Sequence, residues 1–368
     1  MWPYLALFSF FALGALMASR SPQSLVAGAD TDAGAPCAVK PLPTGVVFVF
    51  GLFVVTLMIG LRYKVGADYQ TYQQLFDRAR LYNWEAVMRM GDWGYHGLSA
   101  LLSGAGGSLW HINIVCGLLF CWGIYRLAQL QREPWLVLVV AIPYLITVVA
   151  MGYTRQAAAL GILMMGLAAV LRGGGVLRFA IYVAVAALFH RTAVVTLPMM
   201  MFVFPQSRAT SIFLMAALSV SLYTLFLQDA VDQFQRGYLQ SGYQSQGAAI
   251  RIAQLVLAAG LFLALKSRFA FSDVEHRLWR NYSFVAMAMA ALLLVSPSST
   301  AVDRVSLYLM PLQLAILSRL PQVLINAALA RLLVVAYSAL VLFVWLNFAA
   351  HASYWLPYDT ILSQERTR

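Results

Sequence analysis

Long apolar runs separated by short polar loops make up most of this chain. A helix needs about 20 apolar residues, with a range of about 17–25, to cross the hydrocarbon of a bilayer. The pattern therefore predicts an all-α polytopic membrane protein with about twelve spanning helices. The runs are 1–19, 44–61, 109–127, 135–152, 156–171, 176–189, 193–205, 209–227, 250–265, 281–296, 303–318 and 328–347.

The polar stretches are too short for a soluble domain. The longest covers residues 62–108, and another stretch that we place outside covers residues 228–250. We predict a single membrane domain over residues 1–368 that carries both as outer loops. Residues 1–19 have no basic segment before their apolar core, which predicts a first span rather than a cleaved signal peptide.

Composition supports the membrane assignment, with 61% hydrophobic and 11% charged residues and a mean hydropathy of +0.75. Soluble chains are about half apolar and a quarter charged. With the amino terminus outside, the inner loops hold thirteen Lys and Arg against five Asp and Glu, and the outer segments hold twelve against nine. The net charge of +11 thus follows the positive-inside rule. Nucleic-acid binding is not indicated, because no basic face interleaves with stacking aromatics.

Neither the cysteines nor the paired acids predict a metal site. Cys116 and Cys121 lie five apart on one helix, and with Cys37 they show no zinc-like spacing. Packing is their expected role. Asp30-Thr31-Asp32 could hold a divalent cation, but it lies in a Gly-, Ala- and Pro-rich inner loop, so we predict a solvated loop and no cofactor.

The stretch RYKVGADYQTY, residues 62–72, follows an unbroken apolar run. An aromatic belt at the membrane boundary explains some of these residues. It does not explain why Arg62, Asp68, Tyr69 and Tyr72 occur together. From Tyr69 the apolar positions recur at helical spacing, which predicts an amphipathic helix along the membrane surface, capped by Asp68.

Polar residues of the same types recur at later helix ends. Asp92 and Tyr95 lie in a Gly- and Trp-rich cluster that is either an aromatic belt or part of a site. Arg155 is a lone cation at the outer end of a hairpin, where it either snorkels or binds a ligand. His190 and Arg191 join two runs too short to span the bilayer, which predicts that they lie inside the bundle. His190 could also be structural, bonded to a carbonyl.

The remaining polar helix ends complete one outer constellation. Arg251 begins a span after the Tyr-bearing loop 228–250, and Asp303, Arg304 and Tyr308 follow a Ser-rich helix cap. The planar guanidinium of arginine donates paired hydrogen bonds to phosphate oxygens, so several arginines on one face favour a phosphate ligand. The predicted outer arginines are Arg62, Arg155, Arg191, Arg251 and Arg304, beside Asp68, Asp92, Asp303 and His190.

These blocks resemble the EpsG-like, Wzy-type exopolysaccharide polymerases. RYKVGADYQTYQQLF resembles the family's R-x-x-x-G-x-D-x-x-x-Y block. Asp92-Trp93-Gly94-Tyr95 is similar to its E-P-x-Y step, with Asp in place of Glu and Trp in place of Pro. Arg155-Gln156, His190-Arg191-Thr192-Ala193 and Asp303-Arg304 with Tyr308 resemble its later blocks. The resemblance covers most of the chain.

The resemblance implies a GT-C-like, metal-independent glycosyltransferase in the bacterial inner membrane. It would join polyprenyl-diphosphate-linked repeat units on the periplasmic side, alongside a flippase and a chain-length regulator. A hydroxyl of the acceptor would attack the anomeric carbon of the donor while lipid diphosphate leaves.

Within that chemistry we expect three kinds of role. Arg155, Arg191 and Arg304 would bind the diphosphate, supported by Arg62 and Arg251. His190 is favoured over Asp68 as the base, because its ordinary pKa lies near neutrality. The remaining residues would bind or position sugar; these are Tyr69, Tyr72, Asp92, Tyr95, Asp303 and Tyr308.

Two other functions remain open. Another outer-face transferase or ligase of lipid-linked glycans would share the chemistry and differ in its acceptor. A secondary transporter would show related halves and midplane charges, whereas here the charges gather at one face.

Overall fold

The structure, a computed structural model, describes residues 1–17, 44–200, 203–204, 208–226, 245 and 247–365. Within them the protein is all-helical, with a single isolated backbone bridge between Arg62 and Thr360. Asp30, Asp32, Cys37 and nearly all of the polar stretch 228–246 lie outside the described residues.

Seventeen α-helices occur in the described ranges. They are α1 (Trp2–Met17), α2 (Val46–Gly60), α3 (Tyr69–Arg78), α4 (Trp84–Met90), α5 (Trp93–Gly104), α6 (Leu109–Ala128), α7 (Pro134–Ala141), α8 (Thr154–Leu171), α9 (Val176–Phe189), α10 (Thr196–Met199), α11 (Arg208–Phe226), α12 (Ala248–Leu265), α13 (Asp273–Val295), α14 (Ser299–Ser306), α15 (Met310–Val323), α16 (Ala327–Phe348) and α17 (Ile361–Glu365).

The chain is a multi-pass membrane protein. Five of the described helices, namely α6, α8, α12, α13 and α16, are long and apolar enough to cross a membrane. Five shorter apolar segments accompany them: α1, α2, residues Pro134–Ala150, α9 and Ile212–Phe226.

Helix α8 lies at the centre of the bundle, because nearly all of its side chains are buried. It meets α6 at a point where both backbones touch. A Cβ added to Gly123 would overlap the Gly161 carbonyl oxygen, and one added to Gly161 would overlap the Leu119 carbonyl oxygen and Phe120 Cα. Glycine at both positions therefore allows the two helices to pack closely, and it fixes the position of the amino-terminal end of α8, where Arg155 lies.

A substitution pair tests this contact. Gly161→Ala should destabilise the protein by about 1–3 kcal/mol through overpacking. Gly260→Ala is the matched control, because Gly260 also lies inside a helix and has nothing within 4 Å of an added Cβ. It should leave stability unchanged or raise it by up to about 1 kcal/mol. Thermal unfolding in detergent measures both, and equal midpoints for the two variants would contradict the close contact.

The segment after α7 continues as a π-helix, Ile142–Ala150, whose side chains are all buried. The carboxyl-terminal segment folds back over its end. The Trp355 indole Nε1–H donates to the Thr147 carbonyl oxygen at 2.7 Å, and the ring packs against Gly152. Gly66 N–H donates to the Tyr354 carbonyl oxygen at 2.9 Å. This segment thus holds the Arg62–Asp68 loop against the end of the π-helix.

Three predicted segments differ from the structure. The predicted run 303–318 is divided among α14, a 3₁₀ turn at Leu307–Leu309 and α15. The predicted run 193–205 is broken: a 3₁₀ helix, Arg191–Val195, leads into the single-turn α10. The predicted run 281–296 begins earlier, at Asp273, because a capping box between Ser272 and Glu275 starts α13 among charged residues.

Charged side chains at the other ends of the helices form tight pairs. Arg319 is 5% exposed, and its Nη2 donates to Glu275 Oε1 at 2.6 Å while its Nε donates to Gln131 Oε1 at 2.8 Å. Arg331 binds both carboxylate oxygens of Glu133, at 2.7 and 2.8 Å. These contacts link α13, α15, α16 and the turn after α6 at the end of the bundle away from Arg155.

Candidate functional site

Asp92 lies at the centre of a cluster of predicted site residues. It joins α4 to α5 in the left-handed region, with φ of 46°, directly after Gly91 with φ of 69°. Non-glycine residues adopt this conformation only when their surroundings stabilise it. The Asp92 carboxylate is buried, accepts a 2.8 Å hydrogen bond from Arg155 Nη1 and accepts another of 2.9 Å from the Arg191 backbone N–H. These two bonds hold the unusual backbone in place.

Arg155 reaches Asp92 from the first turn of α8. Its guanidinium lies over the rings of Tyr72 and Tyr95, with Cζ 5.9 and 6.0 Å from the two centroids. The side chain is nevertheless 31% exposed. Arg155 is therefore held by a carboxylate and two aromatic faces, and it remains accessible from outside the protein.

The same cluster includes His190, at the break after α9. Its Nδ1 lies 3.6 Å from Asp92 Oδ2 and is buried without a hydrogen-bond partner among the described residues. A Cβ on Gly94 would lie 3.0 Å from Leu188 Cβ, so α5 approaches the end of α9 closely. This approach brings the Asp92 carboxylate next to the imidazole.

Burial and neighbouring charge act on both groups. Burial lowers the pKa of His190, while Asp92 opposes that effect. For Asp92, burial raises the pKa, but His190, Arg155 and the Arg191 N–H together outweigh burial and lower it to about 2. Asp92 is thus ionised at neutral pH, and His190 is neutral there.

Arg191 and Arg304 form no ion pair with any carboxylate of the described residues. The Arg191 guanidinium lies beside Gly91, where an added Cβ would be 3.2 Å from its Nη1. Arg304 Cζ lies 5.2 Å from the centre of the Tyr153 ring. Arginine charges without a resident carboxylate are available to an anionic ligand.

Side chains near the start of α8 and the end of α14 hold these arginines in place. Gln156 Nε2 donates to the Arg304 carbonyl oxygen at 2.7 Å. Thr192 and Tyr308 share a hydrogen bond of 2.9 Å between their hydroxyl oxygens. Arg304 is therefore tied to α8, and the Arg191 segment is tied to residues that follow α14.

Arg251 is engaged with Asp303. Its Nε donates to Asp303 Oδ1 at 2.7 Å and its Nη2 to Oδ2 at 2.5 Å, while Ser245 Oγ donates to the same carboxylate at 3.0 Å. Asp303 is the fifth residue of α14 and Arg304 is the sixth, in the second of its two turns. The ion pair, rather than the helix dipole, accounts for Asp303.

Arg62 is buried in the protein interior, on the inner side of the residues around Asp92. It is 1% exposed, and its Nη2 donates to Thr154 Oγ1 at 2.8 Å and to Asn113 Oδ1 at 3.4 Å. Its Nη1 donates to the Ile59 carbonyl oxygen. Arg62 therefore contacts the residue before Arg155, and a substrate at the surface cannot reach it directly.

Asp68 occupies the amino-terminal cap position of α3, but its side chain makes no capping hydrogen bond, contrary to the expectation. Burial raises its pKa, and the positive charges of Arg304 and Arg155 oppose that effect. Tyr69, Tyr72 and Tyr95 are buried together on the inner side of α3. The apolar face of α3 thus packs against protein instead of the membrane surface.

Several residues of the cluster were not assigned a role from the sequence. Gly91, Tyr153 and Thr154 adjoin residues that stood out, but their partners Arg191, Arg304 and Arg62 are 100, 151 and 92 positions away, so the local pattern carried little signal. His96 is buried beside the cluster, and burial lowers its pKa to about 4. The run Tyr153–Gln156 at the end of a span was the one local indication that more than Arg155 takes part.

The arrangement combines anion-binding groups with a proton acceptor. Arg155 and Arg304 both lie close enough to His190 and to the half-buried Asp68 to act on their pKa values, and Arg191 follows His190 directly and binds Asp92 through its N–H. The three arginines therefore surround a neutral imidazole and the Asp68 carboxyl group. Preorganised cations of this kind stabilise negative charge that develops on a leaving group. Within the described ranges, no group of three or more His, Cys, Asp and Glu side chains could hold a metal ion.

Comparison with known proteins gives one match. Residues 45–360 match the EpsG family. No curated protein and no solved structure matches the chain.

Proposed function

Because the chain belongs to the EpsG family, we propose that it is a membrane polysaccharide polymerase that joins polyprenyl-diphosphate-linked repeat units. The observation that carries this proposal is the convergence of Arg155, Arg191 and Arg304 on one face, two of them without a carboxylate partner in the described residues. One guanidinium group can bind both oxygens of a carboxylate, whereas a diphosphate has enough oxygens to accept hydrogen bonds from several arginines.

In this mechanism an acceptor hydroxyl attacks the anomeric carbon of the donor glycan. The new C–O bond forms as the bond from that carbon to the diphosphate oxygen breaks, and the lipid diphosphate leaves with the electron pair. The hydroxyl proton passes to His190, whose Nδ1 faces Asp92. Arg155, Arg191 and Arg304 stabilise the charge that gathers on the leaving group.

The other predicted residues take supporting roles. Arg62 positions the start of α8 through Thr154, and Arg251 with Asp303 braces α12 against α14. Asp68, near Arg304 and Arg155, is the second candidate for the base. Tyr72 and Tyr95 pack against the Arg155 guanidinium, and Tyr69 is buried beside them. Tyr308 supports the Arg191 segment through its hydrogen bond with Thr192.

We extend the proposal to the membrane arrangement. About twelve segments, among them the broken segment 191–199, would lie in the bacterial inner membrane in a GT-C-like arrangement, as a single membrane domain with the long loops and the site at the periplasmic face. The charge distribution among the loops supports this orientation. A flippase and a chain-length regulator would act with the enzyme.

The deciding experiment uses purified protein in proteoliposomes with labelled lipid-linked repeat units taken from a strain of the source bacterium that lacks this chain. A ladder of longer lipid-linked products is expected. A single addition would instead indicate a simple transferase or ligase. Movement of the label without bond formation would indicate a transporter and would overturn the proposal.

A further inference from the structure

The outer segment between α2 and α6, which comprises α3, α4 and α5 and is here named the outer lobe, carries four large apolar side chains with high exposure. Leu81 is 85% exposed, Trp84 69%, Met88 41% and Leu101 74%. Single exposed apolar residues are ordinary, but a contiguous group indicates a contact surface.

These four side chains form one patch. Trp84 and Met88 lie one turn apart on the same face of α4. The Trp84 ring passes over α5 at Gly97, where an added Cβ would lie 3.7 Å from Trp84 Cζ3. Leu101 follows Gly97 by one turn on the same face of α5.

Arg80 connects the turn that carries Leu81, the fourth side chain of the patch, to α5. Its Nε donates to the Ser103 carbonyl oxygen at 3.0 Å, which ties the turn that carries Leu81 to the end of α5. The patch is therefore continuous across three elements of the outer lobe.

The patch is separate from the core of the outer lobe. The lobe buries Tyr69, Tyr72 and Phe76 of α3 with Tyr95 of α5. That cluster uses the amphipathic face which the sequence analysis expected to lie on the membrane. A second apolar surface, formed mainly by α4 and α5, is left on the outside.

We propose that this patch inserts into the bilayer leaflet on the side of the candidate site, so that the outer lobe is anchored in lipid. Leu101 stands eight residues before α6, and α6 presents Leu118 and Trp122 to its surroundings with 55% and 48% exposure. The patch thus lies on a helix that leads within a few residues into a spanning helix with exposed apolar side chains.

Polar chemistry at the edge of the patch also fits a lipid surface. Arg78 and Arg80 are exposed around it and can meet lipid phosphates. Tryptophan beside arginine is typical of the membrane interface, where the ring lies among headgroups.

Anchoring has a consequence for the site. Gly91 and Asp92 connect α4 directly to α5, and Asp92 holds Arg155. The depth of the outer lobe in the leaflet therefore sets the position of the central carboxylate relative to lipid headgroups.

Fluorescence quenching tests the insertion. In a Cys37→Ser background, in which Cys116 and Cys121 stay buried, Leu81→Cys and Leu101→Cys are labelled with an environment-sensitive dye. Gln74→Cys, on an exposed polar position of α3, is the matched control. The proteins are reconstituted in phosphatidylcholine–phosphatidylglycerol vesicles with or without doxyl-labelled phosphatidylcholine, and aqueous iodide is the second quencher.

We expect doxyl lipid to quench the labels at positions 81 and 101 roughly twofold or more relative to the control, with iodide showing the reverse order. Strong iodide quenching at 81 and 101 would overturn the proposal, because the patch would then face water. Protection from both quenchers would also overturn it, because a protein surface would then cover the patch. The assay needs no polymerase activity, so its outcome is independent of the proposed function.

Discussion

Replacing Arg304 by methionine is expected to reduce the rate of polymer formation by about 10²–10³-fold, the usual effect of removing one preorganised donor from a developing anion. Arg304 makes no ion pair with a carboxylate in the described part of the chain, so its loss breaks no internal pair. Its backbone bond with Gln156 also survives the substitution. The measurement is the initial rate of ladder formation by purified enzyme in proteoliposomes.

Two further variants make the Arg304 result specific. Arg89→Met is the matched control, because Arg89 is an exposed outer-lobe arginine that pairs with Glu85, and it should keep the wild-type rate. Arg304→Lys keeps the charge but loses the fork, so it should recover only part of the activity. If Arg304→Met stayed within tenfold of wild type, the diphosphate assignment of Arg304 would be wrong.

Arg155 and Arg304 differ in what their removal leaves behind. Without Arg155, the Asp92 carboxylate would remain buried and would keep the Arg191 N–H and the neutral His190 as neighbours. A buried charge that loses its partner destabilises a protein strongly. Substitution of Arg155 therefore mixes lost substrate binding with lost structure, whereas substitution of Arg304 leaves no carboxylate of the described residues without its ion-pair partner.

Hydropathy could predict where the polar residues stand along the chain, because spans end where charge begins. The ends of α2, α9 and α12 were placed in this way, and with them Arg62, His190 and Arg251. Hydropathy does not report how a helix is rotated, or which loop folds over its end. Arg62 was expected to support the diphosphate, yet the carboxyl-terminal segment pairs with it at Thr360 and covers it.

Pairing between charges was equally beyond the sequence. Arg251 and Asp303 are 52 positions apart, and Asp92 and Arg155 are 63 apart. Each could have met several partners, and the choice depends on how α5, α8, α12 and α14 pack. Asp92 stood out as part of an aromatic cluster and as the counterpart of the Glu in the family's E-P-x-Y step, and its expected role was to bind or position sugar. Its central place depends on the left-handed turn at Gly91 and Asp92 and on the close approach of α5 to α9.

In the proposed site, arginines that pair with a carboxylate and arginines that do not have different roles. Asp92 keeps Arg155 in position, and Asp303 does the same for Arg251, so neither cation needs a ligand to stay ordered. Arg191 and Arg304 supply charge that the described residues do not neutralise. A site built in this way is ordered before the substrate arrives and still attracts it, which is what electrostatic preorganisation requires.

His190→Gln should lower the rate by about 10²–10⁴-fold, the typical contribution of a general base. In the wild-type enzyme the base must be neutral, so the rate should fall as acid protonates it. Burial lowers the pKa of His190, which places this fall below the ordinary value of 6.5 and leaves the rate level between that value and about pH 8. The profile of initial rate against pH should lose its acid limb in His190→Gln.

Two further variants, Asp92→Asn and Asp68→Asn, test whether His190 or Asp68 is the base. The Asp92 carboxylate raises the pKa of His190 against the effect of burial, so its removal should move the acid limb to lower pH while the maximal rate also falls. If Asp68 were the base, the limb would persist in His190→Gln and disappear in Asp68→Asn. Its position would then reflect a carboxyl pKa that burial raises above 3.8. The two candidate bases predict opposite outcomes for the acid limb in His190→Gln and Asp68→Asn. The pH profiles of these two variants therefore decide which group accepts the proton.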